Sequence, residues 1–144
     1  LTELIIPANI TAIGEKAFVD QHITNVTLPE TLTTLGTYIF MGCPFLVSAR
    51  VECATVPGFC LVQTPLRNLT LSHNVTKVCA HMINYTPIQE ITYEGTLAEW
   101  AAVTKESNWD GNSSTAPGNM HKFICLDGYM QYDTETHEWT EVRE

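Results

Sequence analysis

The feature that most restricts this chain is a repeat of about 22 residues. Residues 1–20, LTELIIPANITAIGEKAFVD, align without a gap on residues 23–42, the first twenty of ITNVTLPETLTTLGTYIFMGCP (23–44). Leu4 falls on Val26, Ile6 on Leu28, Pro7 on Pro29, Ile10 on Leu32, Ile13 on Leu35, Gly14 on Gly36 and Phe18 on Phe40. The leading residues of successive copies, Leu1, Ile23, Leu46, Leu66 and Ile88, stand 22, 23, 20 and 22 residues apart. A unit this short cannot bury an apolar face alone. Stacked on its neighbours it can, and the chain is therefore expected to be a solenoid.

Each unit follows one script. Leu1, Leu4 and Ile6 keep an L-x-x-L-x-L spacing; in a strand, residues 4 and 6 share one side and residue 1 tucks in where the chain bends. Pro7 stops the strand because it fixes φ and donates no hydrogen bond. Ile10 and Ile13 pack under the turn, Gly14 permits a tight bend, and residues 15–19 (EKAFV) predict one or two helical turns with Ala17 and Phe18 inward. The third unit is about two residues shorter and carries Pro57 where earlier copies have Gly14 and Gly36, so local irregularity is expected there. In the fourth, Cys79 takes that position.

Five repeats result, at 1–22, 23–45, 46–65, 66–87 and 88–104, and residues 105–144 form a loop and C-terminal β cap of the same domain. Residues 105–119 (KESNWDGNSSTAPGN) are polar and predict a loop with Trp109 folded back onto the last repeat. Residues 123–125 read as a strand, Asp127-Gly128 as a turn, and residues 129–133 and 139–142 as a terminal hairpin around 134–137. The repeat period lies in the window of leucine-rich repeats. The expected fold class is α/β: a leucine-rich-repeat right-handed solenoid with a parallel β-sheet on the concave side, short helices or turns on the convex side, and a C-terminal β-hairpin cap.

The formal net charge of −9 disfavours phosphate backbones and anionic membrane surfaces. No apolar run approaches the roughly 18 residues of a membrane span. The chain opens at the first position of a repeat without Met, which reads as a piece of something longer. Residues 1–6 leave an uncapped edge strand, so further repeats are expected upstream. The five cysteines, Cys43, Cys53, Cys60, Cys79 and Cys125, form no C-x-x-C. They read as buried free thiols, or as including one bridge such as Cys60 to Cys79.

No residue pattern names a cofactor or metal. His22, His73, His81, His121 and His137 form no H-E-x-x-H, and no G-x-S-x-G occurs. Cys79 and His81 are two residues apart, and on a helix they would point away from each other. Asp127, Asp133, Glu135 and Glu138 lack the alternation of a calcium loop. The concave face is the better candidate. If Leu4 and Ile6 point inward, the outward pairs are Glu3 and Ile5, Asn25 and Thr27, Ser48 and Arg50, Asn68 and Thr70, and Glu90 and Thr92. Of these, Ile5, Thr27, Arg50, Thr70 and Thr92 form the expected partner-contacting row; soluble β-formers without a partner fit the same composition. Six N-x-[ST] sequons, at Asn9, Asn25, Asn68, Asn74, Asn84 and Asn112, arise largely from the repeat itself.

The segments LIIPANITAIGEKAF and VTLPETLTTLGTYIF resemble the BspA-like leucine-rich repeat family, whose unit reads close to L-x-x-[IV]-x-[IL]-P-x-x-[IV]-x-x-I-G-x-x-A-F-x-x-C. ITYEGTLAEWAAV, Trp109 and FICLDG are similar to the way many members end, whereas the third repeat matches weakly. The resemblance implies a bacterial surface or secreted protein that binds host or extracellular-matrix proteins. The expected function is a non-enzymatic binding or adhesion module with a protein partner. The alternative is a structural spacer presenting another domain of a longer cell-surface protein.

Overall fold

The computed structural model describes residues 2–112 and 119–143. Leu1, expected to lead the first repeat, and positions 113–118 of the expected loop lie outside the described residues.

Period-2 alternation governs the long strands. β1 (Thr2–Ile5), β3 (Ile23–Leu28), β5 (Ser48–Val51), β7 (Asn68–Leu71) and β9 (Glu90–Tyr93) lie side by side, each parallel to the next. Alternate residues of β3, β5, β7 and β9 are buried, and Leu4 of β1 is partly buried, so the sheet has one dry face. The register sets Leu4, Val26, Ala49, Leu69 and Ile91 rung over rung, with Leu28, Val51, Leu71 and Tyr93 as a second row. Burying each Leu, Ile or Val contributes about 1.5–3 kcal/mol. The molecule is mostly β, a stacked solenoid with very little helix.

Short strands make a second, narrower wall: β2 (Ala12–Ile13) pairs with β4 (Thr34–Leu35), and β6 (Thr55–Val56) with β8 (Lys77–Val78) and β10 (Thr104–Lys105). The wall breaks between β4 and β6. Where Gly36 and Cys79 donate to the preceding rung, at Ile13 O and Val56 O, Pro57 has no N–H to give. The irregularity expected of the third repeat is confined to this corner. Units one, two and four close the corner with turns in which Ile10, Leu32 and Val75 donate to Pro7, Pro29 and Ser72. Unit three is shortened there, between Val51 and Thr55, and its long strand and its outer turn stay in step.

The outer side corrects the expected helical turns. Residues 15–21 and their equivalents form consecutive tight turns, not helix. Alternate N–H groups close turns on themselves (Ala17 to Gly14, Val19 to Lys16, Gln21 to Phe18), and the others donate to the next rung (Lys16 to Thr37, Phe18 to Ile39, Asp20 to Met41). The same rung-to-rung bonding recurs from Tyr38, Phe40 and Gly42, from Phe59, Leu61 and Gln63, and from His81 to Asn108. Aiming every second N–H sideways requires left-handed backbone, and Lys16, Tyr38, Phe59, His81 and Asn108 have φ between 54° and 61°. Their side chains form a column: Lys16 Nζ lies 6.0 Å from the Tyr38 ring centroid, and Tyr38, Phe59 and His81 stack at 4.6 and 4.8 Å. Stacking of this kind offsets part of the backbone strain.

The one helix among the described residues, α1 (Leu97–Ala102), sits between β9 and β10 rather than on the outer side. Thr96 caps it in a reciprocal box with Glu99. Residues 106–112, expected as loop, form the outer turn of the fifth rung, with Asn108 in the left-handed column. β11 (Lys122–Cys125) then runs parallel to β9 as a sixth rung strand. β12 (Gly128–Asp133) and β13 (Glu138–Arg143) add antiparallel to β11 in turn. Trp109 is buried, with Trp100 and Phe123 edge-on and Trp139 stacked at 5.7 Å. Trp139 Nε1 donates to Asp110 at 2.7 Å.

Candidate functional site: the outward sheet face

The strand register places the sequence-derived contact residues in one line. Ile5 lies opposite Thr27, Thr27 opposite Arg50, Arg50 opposite Thr70 and Thr70 opposite Thr92. Ile124 of β11 extends the line by one strand. A parallel row holds Asn25, Ser48, Asn68, Glu90 and Lys122. Period-2 geometry turns both rows away from the core.

The members differ in environment. Ile5 is 75% exposed on the edge strand and borders an apolar groove of about 300 Å³ lined by Leu4, Ile6, Ile13 and Phe18. Thr27 and Thr92 are exposed, and Thr70 is half-buried.

Arg50 is already committed. Its guanidinium donates to both oxygens of Glu94, at 2.9 and 2.6 Å, and its Nε donates to Glu52 at 2.9 Å. The bidentate fork matches the carboxylate plane. The hydrogen bonds that Arg50 donates to Glu94 and then to Glu52 raise its pKa, and the same fork holds the Glu94 carboxyl below its usual range. Glu94 stands two rungs from Arg50, so the pair spans the rung between. Asn74 Nδ2 makes a second such tie, donating to Glu30 at 3.3 Å. These groups line a polar groove of about 390 Å³ with Ser72 and His73 at the carboxyl ends of the strands.

At the amino ends of β7 and β9 the face is open. Arg67, Asn68, Thr70, Gln89, Glu90 and Thr92 line a groove of about 280 Å³. Sequence reasoning missed Arg67 and Gln89 because it counted only outward positions within each strand. The corner residue one place before each strand is the signal that finds them.

The cysteine, histidine and aspartate side chains make structural contacts. All five cysteines are free thiols, so the alternative Cys60–Cys79 bridge is absent. Burial pushes each thiol up, Cys125 to about 11. None has the lowered pKa of a nucleophile. His81 stacks on Phe59, and its Nδ1 lies 2.9 Å from Asn84 Nδ2. Asp127 accepts from the Leu97 N–H at 2.8 Å, and Asp133 from those of Glu135 and Thr136. Among the described residues no group of three or more His, Cys, Asp or Glu side chains is placed to hold a metal ion, and no helix is long and apolar enough to cross a membrane.

The family model for the BspA type leucine rich repeat region matches residues 1–103, in six copies. No curated protein and no solved structure matches the chain.

Proposed function

The chain belongs to the BspA type leucine rich repeat family, and from that premise we propose that it is a binding module of a bacterial surface or secreted protein, contacting a protein partner through the concave sheet face. The observation that carries this reading is the open groove at Arg67, Thr70 and Thr92. It is formed by hydrogen-bonding side chains on a rigid parallel sheet, and the core has no use for them. Strand positions hold side chains more firmly than loops do, which lowers the ordering cost of binding. Repeat modules commonly act by protein contact, and an adhesive role against host or matrix protein is the finer form of this proposal.

A photoreactive residue placed at Thr70 or Thr92 tests it. The expected result is crosslinking to a matrix or host-surface protein at these sites, and little from the exposed corner positions Thr33 and Thr76. Equal yields from both faces, or none from either, would overturn the reading. The rung-skipping ties, Arg50 to Glu94 and Asn74 to Glu30, favour a second reading as a stiff spacer. That reading predicts normal display of any attached domain after the concave residues are changed.

A further inference from the structure

Resting on the reading of the concave face as a contact surface, we infer that its amino-end corner at the fourth to sixth rungs recognises a carboxylate-bearing extended segment of a protein partner, through Arg67 and Lys122. The observation is a charge inventory. The chain has 16 acidic and seven basic side chains, so cations ought to be absorbed internally. Three are paired with carboxylates: Arg50 with Glu94 and Glu52, Lys77 with Glu106, and Arg143 with Glu141 and Asp127. Lys105 donates to the carbonyls of Trp100 and Val103 at 2.7 and 3.0 Å. Lys16 lies over the Tyr38 ring on the outer face.

Two cations without a carboxylate partner remain on the concave side. Lys122 Nζ sits 4.3 Å from the Tyr129 ring centroid, a cation–π contact, and forms no ion pair among the described residues. Arg67 is exposed; its backbone N–H donates to the Val47 carbonyl, and its guanidinium has no hydrogen-bond or ion-pair partner among the described residues. The register brings them to one corner: Leu69 lies opposite Ile91, which puts Arg67 beside Gln89, and Lys122 lies opposite Glu90 and donates its N–H to the Gln89 carbonyl. Two strand spacings separate Arg67 from Lys122, about 10 Å. An extended peptide carries same-side carboxylates about 7 Å apart, a span that long Arg and Lys arms cover. Asn68, Thr70, Gln89 and Thr92 supply donors and acceptors for its backbone.

A peptide suits this surface better than an acidic glycan. Sugars favour open aromatic faces, and Tyr129, the ring beside this corner, has its face covered by Lys122. Glu90 lies in the Asn68–Lys122 row and opposes an anionic ligand, so it works as a brake on affinity.

The test is fluorescence anisotropy on the whole chain with a labelled ten-residue peptide of alternating Glu and Thr, against the same peptide with Gln for Glu and a polyuronate oligosaccharide. Arg67→Ala and Lys122→Ala are each expected to weaken peptide binding roughly fivefold, the upper range for an exposed ion pair. Arg67→Lys should keep most of the affinity. Glu90→Gln should tighten binding two- to threefold, roughly the mid-range for one exposed charge, a gain that a misfolded variant cannot produce. Added salt should weaken every acidic-peptide complex. Equal affinity for the Gln peptide, indifference to Arg67→Ala and Lys122→Ala, no binding of either peptide, or preference for the polyuronate would each overturn the inference. Crosslinking at Thr70 and Thr92 to an uncharged partner surface would still support the concave-face reading, so the two fail separately.

Discussion

At the residue scale, Arg50 shows how a side chain can be correctly placed and still be unavailable. It sits in the outward row that the repeat predicts, yet Glu94 holds it in a fork. Both side chains are more than a third exposed, so solvent screens the pair, and its contribution is below about 1 kcal/mol. The fork depresses the Glu94 pKa, so its contribution is present above the unfolded carboxylate range and is lost as pH falls through the folded value. Glu94→Gln should therefore lower Tm slightly at pH 7, and the gap to wild type should close between about pH 5 and pH 3. A gap that widens on acidification would contradict the pairing. The thiols give a sharper test. Cys43, Cys53, Cys60 and Cys125 are buried and Cys79 is half-exposed, so a thiol-reactive dye should label one thiol per folded chain at pH 8 and all five in denaturant. Rapid labelling of two or more in the folded protein would show that the rungs open.

At the scale of elements, neighbouring rungs approach closely enough that a single methyl group matters. A Cβ added at Gly36 would collide with the backbone of Gly14 and Glu15 in the preceding rung, whereas one at Gly14 meets no atom within 4 Å. Gly36→Ala should destabilise by about 1–3 kcal/mol through overpacking, and Gly14→Ala should fall within about 0.5 kcal/mol of wild type. Chemical denaturation of the two variants distinguishes them, and equal losses would mean that the rungs do not meet at this wall. The strand rows were legible in the sequence because one side of every strand is buried, and a register slip would turn its apolar residues to water. The outer turns were not. Ala17 and Phe18 are spaced as well for a helix as for tight turns, and the choice rests on N–H groups bonding about 22 residues away. Trp109 was expected to fold back from within a featureless polar stretch, but nothing local showed that the same stretch completes a rung. The alignment of the outward row was likewise readable, while the capture of Arg50 by a carboxylate 44 residues on was not.

At the scale of the whole molecule, the two ends of the stack are unlike. On the outer side each rung donates N–H groups forward: Lys16, Phe18 and Asp20 bond to carbonyls of the second rung, and among the described residues no N–H donates to the equivalent carbonyls of the first. Leu4, Ile6 and Phe18 are only partly buried there, and Ile5 is 75% exposed. At the other end Trp100, Trp109, Phe123 and Trp139 interlock, with Trp100 and Phe123 stacked at 3.8 Å. In a linear stack, stability is a sum of unit and nearest-neighbour terms, so a rung with one neighbour opens more easily than a rung with two. Hydrogen exchange of this chain should therefore run as a gradient. Amides of residues 2–20 should exchange first, those of 46–83 should be the most protected, and those of 120–133 should stay close to the central value because the aromatic cluster stands in for a further rung. Trp139→Ala removes one plate of that cluster and the hydrogen bond to Asp110, so it should lower protection of 120–133 while leaving 2–20 unchanged. Uniform exchange along the chain would mean that the rungs open as one cooperative block, and the picture of independent units coupled only to their neighbours would not hold.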